Sequence, residues 1–201
     1  MPLAELLVLA FVLIALAAYH LWFNPFRRAT TSVGFEHISD VEDGDIVSVL
    51  GVVERGQAII ESPLTGTPCV AYSVMVEAGG RSVVEECRAV DFWLRDATGK
   101  ALVRASGAIV LLADPQTGSV GDSFADIEAL LARQGAQSMT MNRTMRYREA
   151  MVKIGDRVLV TGLSRWDPER AGRRLILEST PEGPLRITDA PNDTQPGSHG
   201  P

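Results

Sequence analysis

Cys69 is the side chain with the most obvious capacity for chemistry: it follows Pro68 at the start of an apolar run, where a thiol could act as a nucleophile or redox centre if a neighbour lowered its pKa. No histidine lies near it in sequence, since the three histidines are scattered at His20, His37 and His199. A cysteine followed by Val70 and Ala71 also reads as a small buried hydrophobe. Cys87 is the second of two cysteines, and neither belongs to a C-x-x-C pair, so no zinc finger, RING or iron-sulfur site can be built from them. A Cys69–Cys87 disulfide is conceivable in an oxidising compartment if the strand register brings the two together. The expectation from the residues is no metal, no cofactor and no catalytic constellation.

Glu149, in Tyr147-Arg148-Glu149, has two readings: a buried carboxylate held in an ion pair by Arg146 or Arg148, or a general base. Glu85-Glu86 and the cluster Asp40, Glu42 and Asp43 stand in polar contexts that serve solubility. Gly-x-Ser-x-Gly, Walker and dinucleotide fingerprints are absent. Arg146, Arg148, Arg165 and Trp166, with Arg143, Tyr147, Arg173 and Arg174 beside them, form a candidate interaction patch of the basic-aromatic kind that binds single strands. The plainer reading is a solvated strand face balanced by acids. The chain has a formal charge of −6, and setting aside Glu5, Arg27 and Arg28 leaves 17 cations against 24 acids, a poor balance for nucleic acid or anionic lipid.

The elements that would position these residues begin with residues 3–23, where His20 alone interrupts the apolar run from Leu6 onward. A helix of that length measures roughly 31 Å, the thickness of a bilayer's hydrocarbon core. A signal peptide would need a basic start and a shorter core, and a buried core helix is the third reading. Tyr19, His20, Trp22 and Phe23 resemble an interfacial belt, and Arg27 and Arg28 place the following domain in the cytoplasm by the positive-inside tendency. The expected organisation is an anchor with its basic flank (1–28), a juxtamembrane linker (29–43), one β-rich domain (44–188) and a disordered tail (189–201).

Within the domain, residues 44–56 alternate as a strand bent near Gly51, and residues 62–68 are loop chemistry. Residues 69–77 and 82–94 read as strands joined through Ala78-Gly79-Gly80, and residues 91–104 as a further hairpin. Shorter strands are expected at 58–61, 109–112, 174–178 and 185–188, and a loop at 114–122. Asp122 or Ser123 can cap a helix whose Phe124, Ile127, Leu130 and Leu131 share a face and whose end is marked by Gly135. Residues 155–167 then repeat the opening pattern: Gly155, Asp156, Val158, Val160 and Gly162 match Gly44, Asp45, Val47, Val49 and Gly51. Two such glycine-bent strands suit the walls of a small closed sheet, so the fold expected is α+β, mostly β, with an antiparallel OB-like barrel or sandwich and one amphipathic helix.

The strand-glycine unit at Gly44, Ser62-Pro63 with Cys69-Val70 and Tyr72, the run from Phe92 through Trp93, Asp96 and Gly99, Tyr147-Arg148-Glu149, and the run from Gly155 to Gly162 together resemble the GIDE domain, also called the beside-a-membrane (BAM) domain. The resemblance covers roughly residues 44–190. That domain is best known from a mitochondrial outer-membrane ubiquitin ligase, where a C-terminal RING carries transfer. Here no cysteine follows Cys87 and no second apolar span follows the domain, so the ligase activity does not carry over. What the resemblance implies is a membrane-tethered, non-catalytic module that senses, scaffolds or recruits an unknown protein partner, with Ser62, Pro63, Cys69, Tyr72, Trp93, Asp96, Gly99, Glu149, Gly155 and Gly162 as its motif positions. The alternatives are an enzyme or enzyme subunit with a thiol or carboxylate site around Cys69 and Glu149, and a weak binder of nucleic acid or anionic lipid. The oligomeric state is open.

Overall fold

The computed structural model describes residues 34–119, 124–134, 145–167 and 174–191. The anchor at 3–23, the helix caps at Asp122, Ser123 and Gly135, Arg143, Arg173 and residues 192–201 of the tail lie outside them. Among the described residues no helix is long and apolar enough to cross a membrane. The chain from Phe35 onward is one unit, separate from Met1–Gly34. Its elements run β1 (Ile46–Glu54), β2 (Ile60–Glu61), β3 (Pro68–Cys69), β4 (Ala71–Ala78), β5 (Arg81–Ala89), β6 (Phe92–Arg95), β7 (Lys100–Val103), β8 (Ile109–Leu111), β9 (Gln116–Ser119), helix α1 (Phe124–Arg133), β10 (Arg146–Val152), β11 (Arg157–Asp167), β12 (Arg174–Glu178) and β13 (Arg186–Asp189).

The two repeated segments become β1 and β11, and they pair antiparallel with each other. Val49 lies opposite Val160, its own counterpart in the repeat, so a local two-fold axis passes through that pair. The turns that start the strands match as well: Gly44 and Gly155 have φ of 90° and 93°. Gly44 N–H donates to Ser164 O and Ser164 N–H to Asp45 O, while Gly155 N–H donates to Val53 O and Val53 N–H to Asp156 O, all between 2.8 and 2.9 Å. One turn-and-strand unit is thus used twice, its two copies related by that axis.

The β1–β11 ladder closes a five-stranded barrel of order β1-β6-β7-β12-β11, in which β7 and β12 are the parallel pair. β13 and β8 extend the sheet beyond β11. This is the OB-like closed sheet expected from the repeat. Alternation turns Phe92, Leu94, Ala101, Val103, Leu175 and Leu177 inward, where they are fully buried with Val49 and Val160. Gly51 and Gly162 sit where β1 and β11 pass from one partner strand to the next. A methyl group at Gly51 would stand 2.8 Å from the Arg95 carbonyl, and one at Gly162 would stand 2.8 Å from the Glu178 carbonyl.

A second sheet, β5-β4-β10-β9, carries α1 on one face through Ile127, Leu130 and Leu131 against Tyr72, Val74, Val76 and Val84. Val70, Ala71 and Val152 belong to the barrel core, so β4 leaves the barrel at its start to build this lobe and β10 returns to it at its end. Gly79 and Gly80, with φ of 58° and 77°, make the β4–β5 turn with both central residues left-handed. Three expectations are corrected. The run 82–94 is two strands broken at Val90-Asp91, because β5 serves the lobe and β6 the barrel. The loop at 114–122 contains β9, which pairs with β10. The linker at 29–43 is partly barrel, since Ile38 and Val41 are core residues.

Gly162→Ala should destabilise the domain by about 2 kcal/mol, because the nearest obstacle is backbone that cannot rotate away. Gly34→Ala, with nothing within 4 Å of the added methyl, should be silent. Urea unfolding midpoints of the two variants check the difference.

Candidate functional site

Glu149 is fully buried on β10. Its partners are neither Arg146 nor Arg148: Oε1 accepts the Leu64 N–H at 2.9 Å and Oε2 accepts the Thr65 hydroxyl at 2.7 Å. Arg148 instead approaches Glu77 at 4.0 Å. The ion-pair expectation fails because alternation along β10 sends Arg146 and Arg148 to the exposed face and Glu149 inward, beneath the loop before β3. That loop is closed by Ser62, whose Oγ lies 2.7 Å from Thr65 Oγ1 and accepts the Thr67 N–H at 3.1 Å. Pro63 is part of the loop the carboxylate holds. Cys69, buried next to it, is a free thiol pushed up to about 11 by burial and by the Glu149 charge. Such a thiol is a poor nucleophile at neutral pH. Cys87 is also free, with Sγ 3.3 Å from the Ala108 carbonyl.

Tyr72 is buried under α1, and its hydroxyl donates to Glu86 at 2.5 Å, while the Gln134 amide donates to the same carboxylate at 3.0 Å. Burial and this hydrogen bond push the Tyr72 phenol up to about 12. On Glu86, burial raises the pKa, but Tyr72, Gln134, Arg133 and Arg88 outweigh it and hold the group below its ordinary range. The pair fastens the end of α1 to the lobe sheet.

Asp96 and Gly99 form a clamp. Asp96 Oδ1 accepts the N–H groups of Thr98 and Gly99 at 2.7 and 2.8 Å, and Oδ2 accepts the Ile38 N–H at 2.9 Å. A methyl at Gly99 would stand 3.2 Å from Ile38 Cγ2. At the neighbouring strand end, Ser164 Oγ donates to Glu42 O at 2.5 Å, Trp166 N–H donates to Asp43 at 2.6 Å, and the Trp166 indole donates to Val41 O at 3.0 Å. Residues 36–45, which precede the barrel, are thereby bound onto it. Burial raises the Asp96 pKa, but the Ile38, Thr98 and Gly99 donors outweigh it and hold it below the ordinary aspartate range.

The expected arginine patch is divided between the two sheets. Arg146 and Arg148 are on β10 in the lobe, beside Tyr147, whose ring covers Gly118 on β9. Arg165 and Trp166 are on β11, and the Trp166 ring faces the clamp rather than a ligand surface. Charged and aromatic side chains also meet on the outside of β6, β7 and β12. Register aligns Trp93, Leu102, Ile176 and Arg165 in one row across four strands. The Arg174 guanidinium lies 5.0 Å from the Trp93 ring centre, at a cleft of about 480 Å³ also lined by Gln57, Ala58 and Val90. Glu54 binds Arg95 at 2.5 Å and Lys100 at 2.6 Å, and Glu178 binds Arg165 at 3.0 Å and Arg104 at 3.2 Å. Alternation in residues 92–104 already places Trp93, Arg95, Lys100, Leu102 and Arg104 on one side. The contribution of β12 comes from its parallel pairing with β7, which no local signal marks. Gly155 and Gly162 serve the barrel turns and crossings described above.

Among the described residues no cluster of His, Cys, Asp and Glu could hold a metal ion. No family model, curated protein or solved structure matches the chain.

Glu149→Ala should lower stability by about 2 kcal/mol, since it strands the buried Leu64 N–H and takes one acceptor from the Thr65 hydroxyl, and Glu149→Gln, which keeps one acceptor, should lose about 1 kcal/mol. Chemical denaturation reads both. For Asp96 the folded pKa is depressed, so its contribution is complete above the unfolded value of about 3.9 and disappears as pH falls through the folded value. Asp96→Asn should be less stable than the native chain at pH 7 and should lack part of the native chain's loss of stability below about pH 4. Unfolding midpoints from pH 7 to pH 2 test the sign.

Proposed function

We propose that the chain is a membrane-tethered, non-catalytic interaction module of the GIDE (BAM) type. The observation that carries this reading is how the fold uses its chemically versatile groups. Cys69, Tyr72, Glu149 and Asp96 are engaged with the body of the domain, while Trp93, Arg95, Lys100, Leu102 and Arg104 stand on the outer barrel face. Burial and hydrogen bonding of this kind hold a loop and a turn in place, and an exposed aromatic-cationic face is what a docking surface needs.

The GIDE likeness draws support from contacts between its separated motifs. The Tyr147-Arg148-Glu149 segment meets the Ser62-Pro63 loop through Glu149, and the Asp96-to-Gly99 turn meets the segment that leads into the Gly44 unit. The tether is residues 3–23, and twelve residues separate Phe23 from Glu36, the first described residue bonded to the barrel, by Glu36 N–H to Ser48 O. With a span at 3–23, the positive-inside tendency of Arg27 and Arg28 favours the cytoplasmic side for the domain.

The full chain should stay in the membrane pellet after alkaline carbonate extraction, and deletion of residues 3–23 should release it. A C-terminal reporter active only in the cytoplasm should work and an export-dependent one should not. Affinity capture in detergent should retain a specific protein partner. Carbonate release of the intact chain, or activity of the export reporter, contradicts the tether or its orientation. Capture of nothing contradicts the interaction module.

A further inference from the structure

We propose that the outer face of β6, β7 and β12, with Arg165, docks an extended acidic segment of a partner protein in which acidic and apolar side chains alternate. The proposal rests on the reading of the domain as an interaction module, and not on its tether. The face has three rows. Trp93 and Leu102 are the apolar centre, continued by Ile176, which is 4% exposed. On one side Arg95 pairs with Lys100 across β6 and β7, and Arg174 lies over Trp93. On the other side Arg104 meets Glu178, which it shares with Arg165 at the end of the central row. Five cations therefore surround one apolar strip in a chain whose formal charge is −6.

Successive same-side residues of an extended strand are about 6.8 Å apart. The rows of this face have the same repeat, being alternate residues of its own strands. A partner segment laid along the strands and reading acid-x-apolar-x-acid would set its apolar side chain on Trp93 and Leu102 and its carboxylates among the flanking cations. Those cations have capacity to spare: Arg95 and Arg165 each meet their carboxylate through Nε, and a guanidinium carries five donors in a fork suited to carboxylates. They are also accessible, with side-chain exposures of 51% for Arg95, 53% for Lys100, 52% for Arg104 and 61% for Arg165.

A nucleic-acid strand fits less well. The cations of this face already meet carboxylates, those of Glu54 and Glu178. Its aromatic content is the Trp93 ring, one of whose faces Arg174 covers, whereas strand-binding grooves stack successive bases on several rings.

The test uses the full chain in a zwitterionic detergent. The probes are a labelled synthetic peptide alternating Asp or Glu with Leu or Phe, and an oligothymidylate of equal charge. The peptide should bind, and more tightly than the oligonucleotide. Lys100→Glu with Arg165→Glu should weaken it by roughly tenfold or more, and the neutral pair Lys100→Gln with Arg165→Gln by a smaller factor in the same direction. Arg148→Glu, on the lobe sheet, should leave binding unchanged. Thermal melts establish that each variant is folded, and the neutral pair serves if the reversal pair is not. No peptide binding, tighter binding of the oligonucleotide, or an equal loss in Arg148→Glu overturns the proposal. A cellular protein captured equally by the native chain and by the double variants would reject this face while leaving the interaction module standing.

Discussion

The antiparallel ladder between β1 and β11 is the constraint on which the rest of the structure depends. It joins residues more than a hundred positions apart, from Ile46 opposite Leu163 to Val52 opposite Arg157, and it closes the barrel. Closure requires each of these strands to hand over from one neighbour to another, and glycine at 51 and 162 allows the backbones of β6 and β12 to approach where a methyl would stand 2.8 Å from a carbonyl. Everything else hangs from the closed ring: the lobe leaves it through Ala71 and Val152, and the entering chain is bound to it by Asp96, Ser164 and Trp166.

Magnitudes separate the polar groups that hold the fold from those available to a partner. Glu149 satisfies a buried backbone N–H and a hydroxyl, and stranding such groups costs on the order of 1 to 3 kcal/mol each. Among the described residues no buried side-chain nitrogen or oxygen lacks a partner, so the interior polar groups are committed. The outer ion pairs of Glu54 and Glu178 involve cations that are more than half exposed, and pairs of that kind are worth about 0 to 1 kcal/mol. Exchanging one carboxylate for another there alters stability little, which suits the docking role proposed for this face.

The barrel was legible because its signature is local and occurs twice: a turn glycine, an acid, alternating valines and a second glycine. The β4–β5 turn and α1 were legible for the same reason, through Gly79-Gly80 and the spacing of Ile127, Leu130 and Leu131. What sequence periodicity could not show is which sheet a strand joins. The run from Ser82 to Leu94 holds no glycine or proline to mark a break, yet it divides between lobe and barrel at Val90. Ile38 and Val41 sit among acids and gave no pattern, although both are core residues. The partner of Glu149 lies about 85 positions away, and the grouping of Arg165 with Trp93 and Leu102 depends on β12 pairing in parallel with β7.

The fold directs its thiol, phenol and buried carboxylate to its own support and leaves an apolar strip between cations on the barrel wall, the proposed docking site of a partner. Hydroxyl-radical footprinting of the full chain, with and without a saturating acidic-apolar peptide, addresses this most directly. Protection confined to Trp93 and Leu102, with Tyr147 and Met151 on β10 unchanged, is the predicted result. Protection of Tyr147 and Met151 with Trp93 still fully reactive would place the working surface on the lobe and contradict it.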